Sequence, residues 1–269
     1  MSSQQVQEKV ISRDGTAIAY WRSGHGRPLV LVHGTSADHT RWRPVLELFE
    51  ADATVYAMDR RGRGDSGDAE GYSIEREFED VVAVVDAVAE QTGQPVDLFG
   101  HSYGAVCSLE AARLTPNVRK LVLYEPPTEM GPFPAGLIER LGALLADDRR
   151  DEVLQTFFRE VVGMSDDQLT SFRALPVWPA RVAAAHTVVR ELAVAASIRF
   201  DPSRFEALSV PALVLAGSDS PDFLRNSTAT VASTLPNCQV AVLDGQQHVA
   251  MDTAPHLLVD TVNAFLNAR

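Results

Sequence analysis

The stretch that decides the fold is Val96-Asp97-Leu98-Phe99-Gly100-His101-Ser102-Tyr103-Gly104-Ala105. Val96 to Phe99 is an apolar run of strand length, and Ala105 to Leu114 reads as a helix. A strand that passes directly into a helix must turn sharply, and Gly100 and Gly104 let the two chain segments approach closely there. Such a turn lifts a serine hydroxyl clear of the sheet. The start of the helix also offers unpaired backbone N–H groups to a developing negative charge. This Gly-x-Ser-x-Gly setting marks Ser102 as a candidate nucleophile.

Outward from this turn, the same strand form recurs. Leu29 to Val32 precedes His33-Gly34, Thr54 to Met58 precedes Asp59, and Lys120 to Tyr124 precedes Glu125. Ala212 to Ala216 precedes Gly217, and Val240 to Leu243 precedes Asp244. Continuous apolar runs suit strands covered on both faces. Helical stretches separate them, as in Ile74 to Glu90, where Phe78, Val81, Val82, Val85 and Val88 fall at helical spacing. The alternation predicts an α/β fold with a mainly parallel sheet, whose ligands bind beyond the carboxyl ends of the strands. Val6 to Trp21, turning at Asp14-Gly15, reads as an N-terminal hairpin.

Residues 128–209 break the rhythm, because they separate two strands by far more chain than a crossover needs. Val153, Leu154, Phe157, Phe158, Val161 and Val162 form a helical stripe there, and Ser165 with Gln168 forms a capping box. The expected organisation is a core of residues 1–127 and 210–269 with a helical cap of 128–209 between its parts.

Composition narrows the function. Among 269 residues, 36 acidic against 24 basic give a net charge of −12, which disfavours nucleic acid as a partner. Arg60, Arg61 and Arg63 alternate with Asp59 and Asp65 and read as a salt-bridged loop. Cys107 and Cys238 are too few for a disulfide scaffold and lack metal-ligand spacing, and Cys107 reads as an inert core thiol. The opening MSSQQVQEKVISRDG has no secretory pattern and no apolar run reaches membrane-spanning length, so the expectation is a cytoplasmic protein. Neither a metal nor an organic cofactor is expected.

A serine hydroxyl needs a neighbouring base. Of the seven histidines, His248 lies just beyond the last strand, where a loop can bring an imidazole to the carboxyl edge. His101 points away from that place, His25, His39 and His256 read as surface residues, and His186 sits between Val182 and Val189 at helical spacing.

The order of these features resembles the α/β-hydrolase family over nearly the whole chain. They are His33-Gly34, the run Asp59-Arg60-Arg61-Gly62-Arg63-Gly64-Asp65-Ser66, the turn at Ser102 and the late His248. The resemblance implies that the backbone N–H groups of Thr35 and Tyr103 form an oxyanion hole, and it makes His33 the oxyanion-loop histidine. It also implies an acid shortly after the strand that follows the cap. The usual spacing from Gly217 lands on Ser220, so Asp219 is the nearest carboxylate. The alternative is Glu125, after the strand preceding the cap, with Asp222 behind it.

The activity expected is hydrolysis of a small, largely apolar carboxylic ester or lactone, with Phe158 and Trp178 as candidate pocket residues. The rivals are carbon–carbon hydrolysis or perhydrolysis by the same machinery, and a non-catalytic ligand receptor. Epoxide hydrolases and haloalkane dehalogenases are disfavoured, because they carry an aspartate where Ser102 stands.

Overall fold

Val6–Ile11 (β1) and Ala17–Gly24 (β2) form an antiparallel hairpin, and β2 runs antiparallel to Ala53–Met58 (β4). Arg27–Val32 (β3), Val96–His101 (β5), Val118–Tyr124 (β6), Ala212–Gly217 (β7) and Cys238–Leu243 (β8) continue the sheet in parallel with β4. The strand order is β1-β2-β4-β3-β5-β6-β7-β8. The computed structural model describes residues 5–128, 133–196 and 199–268.

The helices, in chain order, begin with Arg43–Glu50 (α1), Ile74–Thr92 (α2) and Tyr103–Leu114 (α3). Between β6 and β7 come Leu137–Ala146 (α4), Arg150–Glu160 (α5), Asp166–Arg173 (α6), Trp178–Ala183 (α7) and Ala185–Ala195 (α8). Asp222–Thr234 (α9), Ala250–Thr253 (α10) and Pro255–Asn267 (α11) close the chain. Among the described residues, no helix is long and apolar enough to cross a membrane.

Two apolar layers cover the sheet. On one face Phe78, Val81, Val85 and Val88 of α2 pack with Leu109 of α3 and Val231 of α9 against Val30, Leu98 and Val214. On the other, Val45 and Phe49 of α1 and Leu258, Val262 and Phe265 of α11 meet Leu31, Phe99 and Leu215. A buried valine contributes about 1.5–3 kcal/mol relative to an exposed one, so a charge at Val85 would break the α2 layer. Gly93 ends α2 in the left-handed conformation, φ 69°, with its N–H on the Ala89 carbonyl. The helices between β6 and β7 have their own core, built on Leu141, Leu154, Phe158, Trp178, Val188 and Leu192.

Candidate active site

Ser102 joins β5 to α3 with φ 56° and ψ −127°, a strained conformation for a residue with a side chain. Its own N–H donates to the Tyr124 carbonyl at 2.9 Å, and its carbonyl accepts from Ala105 at 2.8 Å to start the helix. A Cβ on Gly104 would lie 2.4 Å from the His33 carbonyl oxygen, so only glycine lets α3 start against the end of β3. Gly34 is equally close to the nucleophile: a Cβ there would lie 2.8 Å from that of Ser102. Among the described residues, positive φ at non-glycines occurs at Ser36, Ser102, Glu125 and Asp148. The first three are strand-end residues around this one place.

His33 is fully buried, and burial beside Arg60 and Arg63 pushes its pKa well below the ordinary value, so it is neutral. Its Nε2 accepts the Arg60 N–H at 3.1 Å, which leaves the proton on Nδ1 to donate to the Gly34 carbonyl at 2.8 Å. The Gly34–Thr35 peptide is planar, so turning its carbonyl to His33 turns the Thr35 N–H the other way. Tyr103, as the first residue of α3, has no partner within its helix for its N–H.

His248 Nδ1 lies 2.6 Å from Glu125 Oε2. Glu125 follows β6 and is wholly buried; its other oxygen accepts the Gly217 N–H at 2.8 Å. The loop carrying His248 is pinned on both sides. Tyr124 donates its hydroxyl to the Gln247 carbonyl and accepts the Ala250 N–H, the latter at 3.2 Å. His101, buried and held neutral by burial and by His248 nearby, donates Nε2–H to the His248 carbonyl at 2.8 Å. His101 and Tyr124 thus position the imidazole, a role their places in the sequence do not signal.

The model of the alpha/beta hydrolase family matches residues 29–261. The chain belongs to that family. It is 25% identical over 251 residues, 92% of its own length and 93% of the relative's, to an (E)-2-((N-methylformamido)methylene)succinate hydrolase of Acinetobacter baylyi. An alpha/beta hydrolase from Sphaerobacter thermophilus superposes with a TM-score of 0.85 at 37% identity, covering 97% of this chain and 100% of that one. An esterase from a Rhodococcus species shares the fold, with a TM-score of 0.76 at 24% identity and coverage of 97% and 98%.

Within this hydrolase the carboxylate favoured by chain order is not the one beside the imidazole. Asp219 is exposed, and its carboxylate accepts only the Ser218 hydroxyl, at 2.8 Å, among the described residues. Its N–H donates to the Gln246 carbonyl at 2.9 Å, and Ser218 Oγ accepts the Gly245 N–H at 2.8 Å, which together tie the turn to the histidine loop. Ser220, at the position where an acid was expected, is buried and uncharged. Asp222 is turned to Arg225. The physical reason is reach: Glu125 starts one strand away, its φ of 47° turns it towards β7, and the longer side chain spans to His248.

Phe158 and Trp178, the residues expected to line a pocket, lie within the helical insertion. Both are nearly buried in the aromatic core of the helical insertion, 5.9 Å apart between ring centroids, and Trp178 Nε1 is spent on Asp151 at 2.7 Å. Their packing gives the pocket reading no support.

The arginine loop does form salt bridges, but with partners from far along the chain. Arg60 binds Glu77 of α2 through Nε and Nη2, both at 2.7 Å, and Glu191 of α8 at 2.7 Å; Arg63 binds the same Glu191 oxygen. Arg61 grips Asp80 at 2.7 Å with Nε and Nη2. Burial opposes charge on Glu191, yet Arg60 and Arg63 hold its pKa below the usual carboxylate value. Tyr103 joins the cluster through Tyr72, whose hydroxyl is 3.0 Å from its own. Asp59 is saturated as well, since it accepts from His39 N–H, Trp21 and Asp65 and pairs with His39 Nδ1.

Proposed function

We propose that this chain is a serine hydrolase that cleaves a small carboxylic ester or lactone through an acyl-enzyme on Ser102, with residues 128–209 as its cap. The observation that carries the reading is the Glu125–His248 contact of 2.6 Å at the strand ends where the strained Ser102 turn also lies. Glu125 on Nδ1 fixes the imidazole with Nε2 free and stabilises the imidazolium. His248 Nε2 takes the Ser102 proton as Oγ attacks the substrate carbonyl carbon. The resulting oxyanion is received by the N–H groups of Thr35 and Tyr103, each worth about 2.7–4 kcal/mol in the transition state.

Collapse of that adduct breaks the bond to the leaving alcohol, which departs with the proton from His248. Water then gives a proton to His248 and its oxygen to the acyl carbon, so that the acid is released and Ser102 regains its hydrogen. A fluorophosphonate probe, read by peptide mass spectrometry, should label Ser102, and p-nitrophenyl esters of graded length should be turned over beside a set of lactones. An adduct on another residue, or wild-type turnover by Ser102→Ala, would overturn the reading.

A further inference from the structure

Arg181 of α7 holds no carboxylate among the described residues. Its Nη1 donates to the Ser36 carbonyl and, at 2.9 Å, to Ser36 Oγ. Its guanidinium lies over Phe172, with Cζ 5.0 Å from the ring centroid. Nε is sealed from solvent with no hydrogen-bond partner, while the residue as a whole is only half-buried and Nη2 is not sealed off. Burial, and Arg41 nearby, push its pKa down to about 10 against the opposing pull of Asp38 and Asp252, so it stays a cation at neutral pH. Those two carboxylates are engaged elsewhere: Asp252 holds Arg41 at 2.6 Å, and Asp38 caps Thr40 at 2.9 Å.

Six other arginines of this segment make the contrast. Arg140, Arg149, Arg150, Arg159, Arg173 and Arg190 each hold a carboxylate. Among the described residues Arg181 holds none, in a chain with 36 acidic residues to choose from. An unpaired, desolvated charge is costly, so such a group calls for an anion. Nη2 is where one can bind. Arg60 meets Glu77, and Arg61 meets Asp80, through the pair Nε and Nη2. In Arg181 Ser36 occupies Nη1 and Nε is sealed from solvent, so Nη2 alone is open to an anion. Ser36 adjoins Thr35, so Arg181 is fastened to the loop whose Thr35 N–H is to hold the oxyanion.

We propose that Arg181 anchors a carboxylate carried by the substrate, so that the compound cleaved at Ser102 is the monoester or lactone of an acid-bearing molecule. The inference rests on the serine-hydrolase reading above and narrows its substrate class. Matched p-nitrophenyl esters test it: the monoesters of succinate, glutarate and adipate against the neutral butyrate, pentanoate and hexanoate. For at least one pair, wild-type kcat/KM should favour the acid by about 10- to 100-fold, the range of a charge-assisted pair. Arg181→Gln should bring that ratio near one, and Arg181→Lys should keep part of it. An unaltered ratio in Arg181→Gln at every length overturns the anchor; if that variant fails to melt cooperatively, the ratio in Arg181→Lys decides, and no fall from wild type overturns it.

A binding measurement separates the two readings. Calorimetry of monomethyl glutarate with Ser102→Ala should give a Kd that rises about 10- to 100-fold when Arg181→Gln is added. Should the wild type turn over neither ester series, the serine-ester reading fails while this measurement still decides the anchor. No binding, or equal Kd values, overturns it.

Discussion

Glu125 Oε2 meets His248 Nδ1 at 2.6 Å across 123 residues of chain, and Glu125 Oε1 is held at the same time by the Gly217 N–H at 2.8 Å. With both oxygens committed, the carboxylate has one orientation. Strands β6 and β7 therefore act together, one supplying the acid and its neighbour the amide that aims it. The histidine loop enters from beyond β8 and is fastened by Tyr124, the residue before the acid, so acid and base share one support.

Glu125→Gln should cut turnover by about three to four orders of magnitude, because an amide on Nδ1 no longer stabilises the imidazolium. Asp219→Asn should leave kcat/KM within about threefold, since an exposed carboxylate beside its own neighbour's hydroxyl does not face the base. Ester kinetics with parallel thermal melts check both. The reverse ranking would return the acid to the Gly217–Asp222 turn.

Tyr124→Phe keeps the ring and removes only the hydroxyl that bridges Gln247 and Ala250. A base allowed to wander costs orientation more than affinity, so kcat should fall about 10- to 100-fold with KM little changed. Unchanged kcat, or a loss confined to KM, would show that the tyrosine has no positioning role.

The strand ends were legible because central parallel strands are apolar throughout and stop at polar residues, which placed Ser102, His248 and Glu125 at one edge before any coordinates. Sequence order ranked Asp219 above Glu125 for a physical reason: counting residues after β7 measures where a turn begins, not how far a side chain on the next strand reaches. For Phe158 and Trp178 the limit is similar, since an apolar helical stripe reveals burial but not which neighbour does the burying. Arg60 and Arg63 were readable as paired, yet their partners Glu77 and Glu191 come from α2 and α8. Nothing in the spacing around Arg181 distinguishes it from the paired arginines beside it.

Glu191 is a buried fastening between α8 and the arginine loop after β4, and one of its oxygens serves both Arg60 and Arg63. Glu191→Ala would leave Arg63 without its carboxylate, and breaking a buried pair from one side costs about 3–5 kcal/mol. Tm should drop on the order of 10 °C. Glu160→Ala, which removes only the surface partner of Arg140, should leave the melt where it was. Equal, small changes in the two variants would mean that the cluster adds nothing to stability.

A second fastening of α8 should respond to acid. Asp68 accepts from Arg190 at 2.9 and 2.8 Å and from His186 Nε2 at 3.2 Å, joining the loop before α2 to helix α8. Burial pushes its pKa up, but the bonds from His186 and Arg190 outweigh burial and leave it well below the usual aspartate value. A carboxyl group whose folded pKa is depressed releases its proton more readily when folded than when unfolded. Its contribution is therefore complete above the unfolded value of about 3.9 and is lost as pH falls towards the folded value. The side chain is 33% exposed, so solvent screening keeps the effect small. Asp68→Asn should lower Tm by about 2 °C or less at neutral pH, and the gap from wild type should close between about pH 5 and pH 2. Differential scanning calorimetry across that range measures the gap directly. A gap that widened on acidification would have the wrong sign for a depressed carboxylate, and a gap of zero at neutral pH would show that Asp68 does not fasten α8.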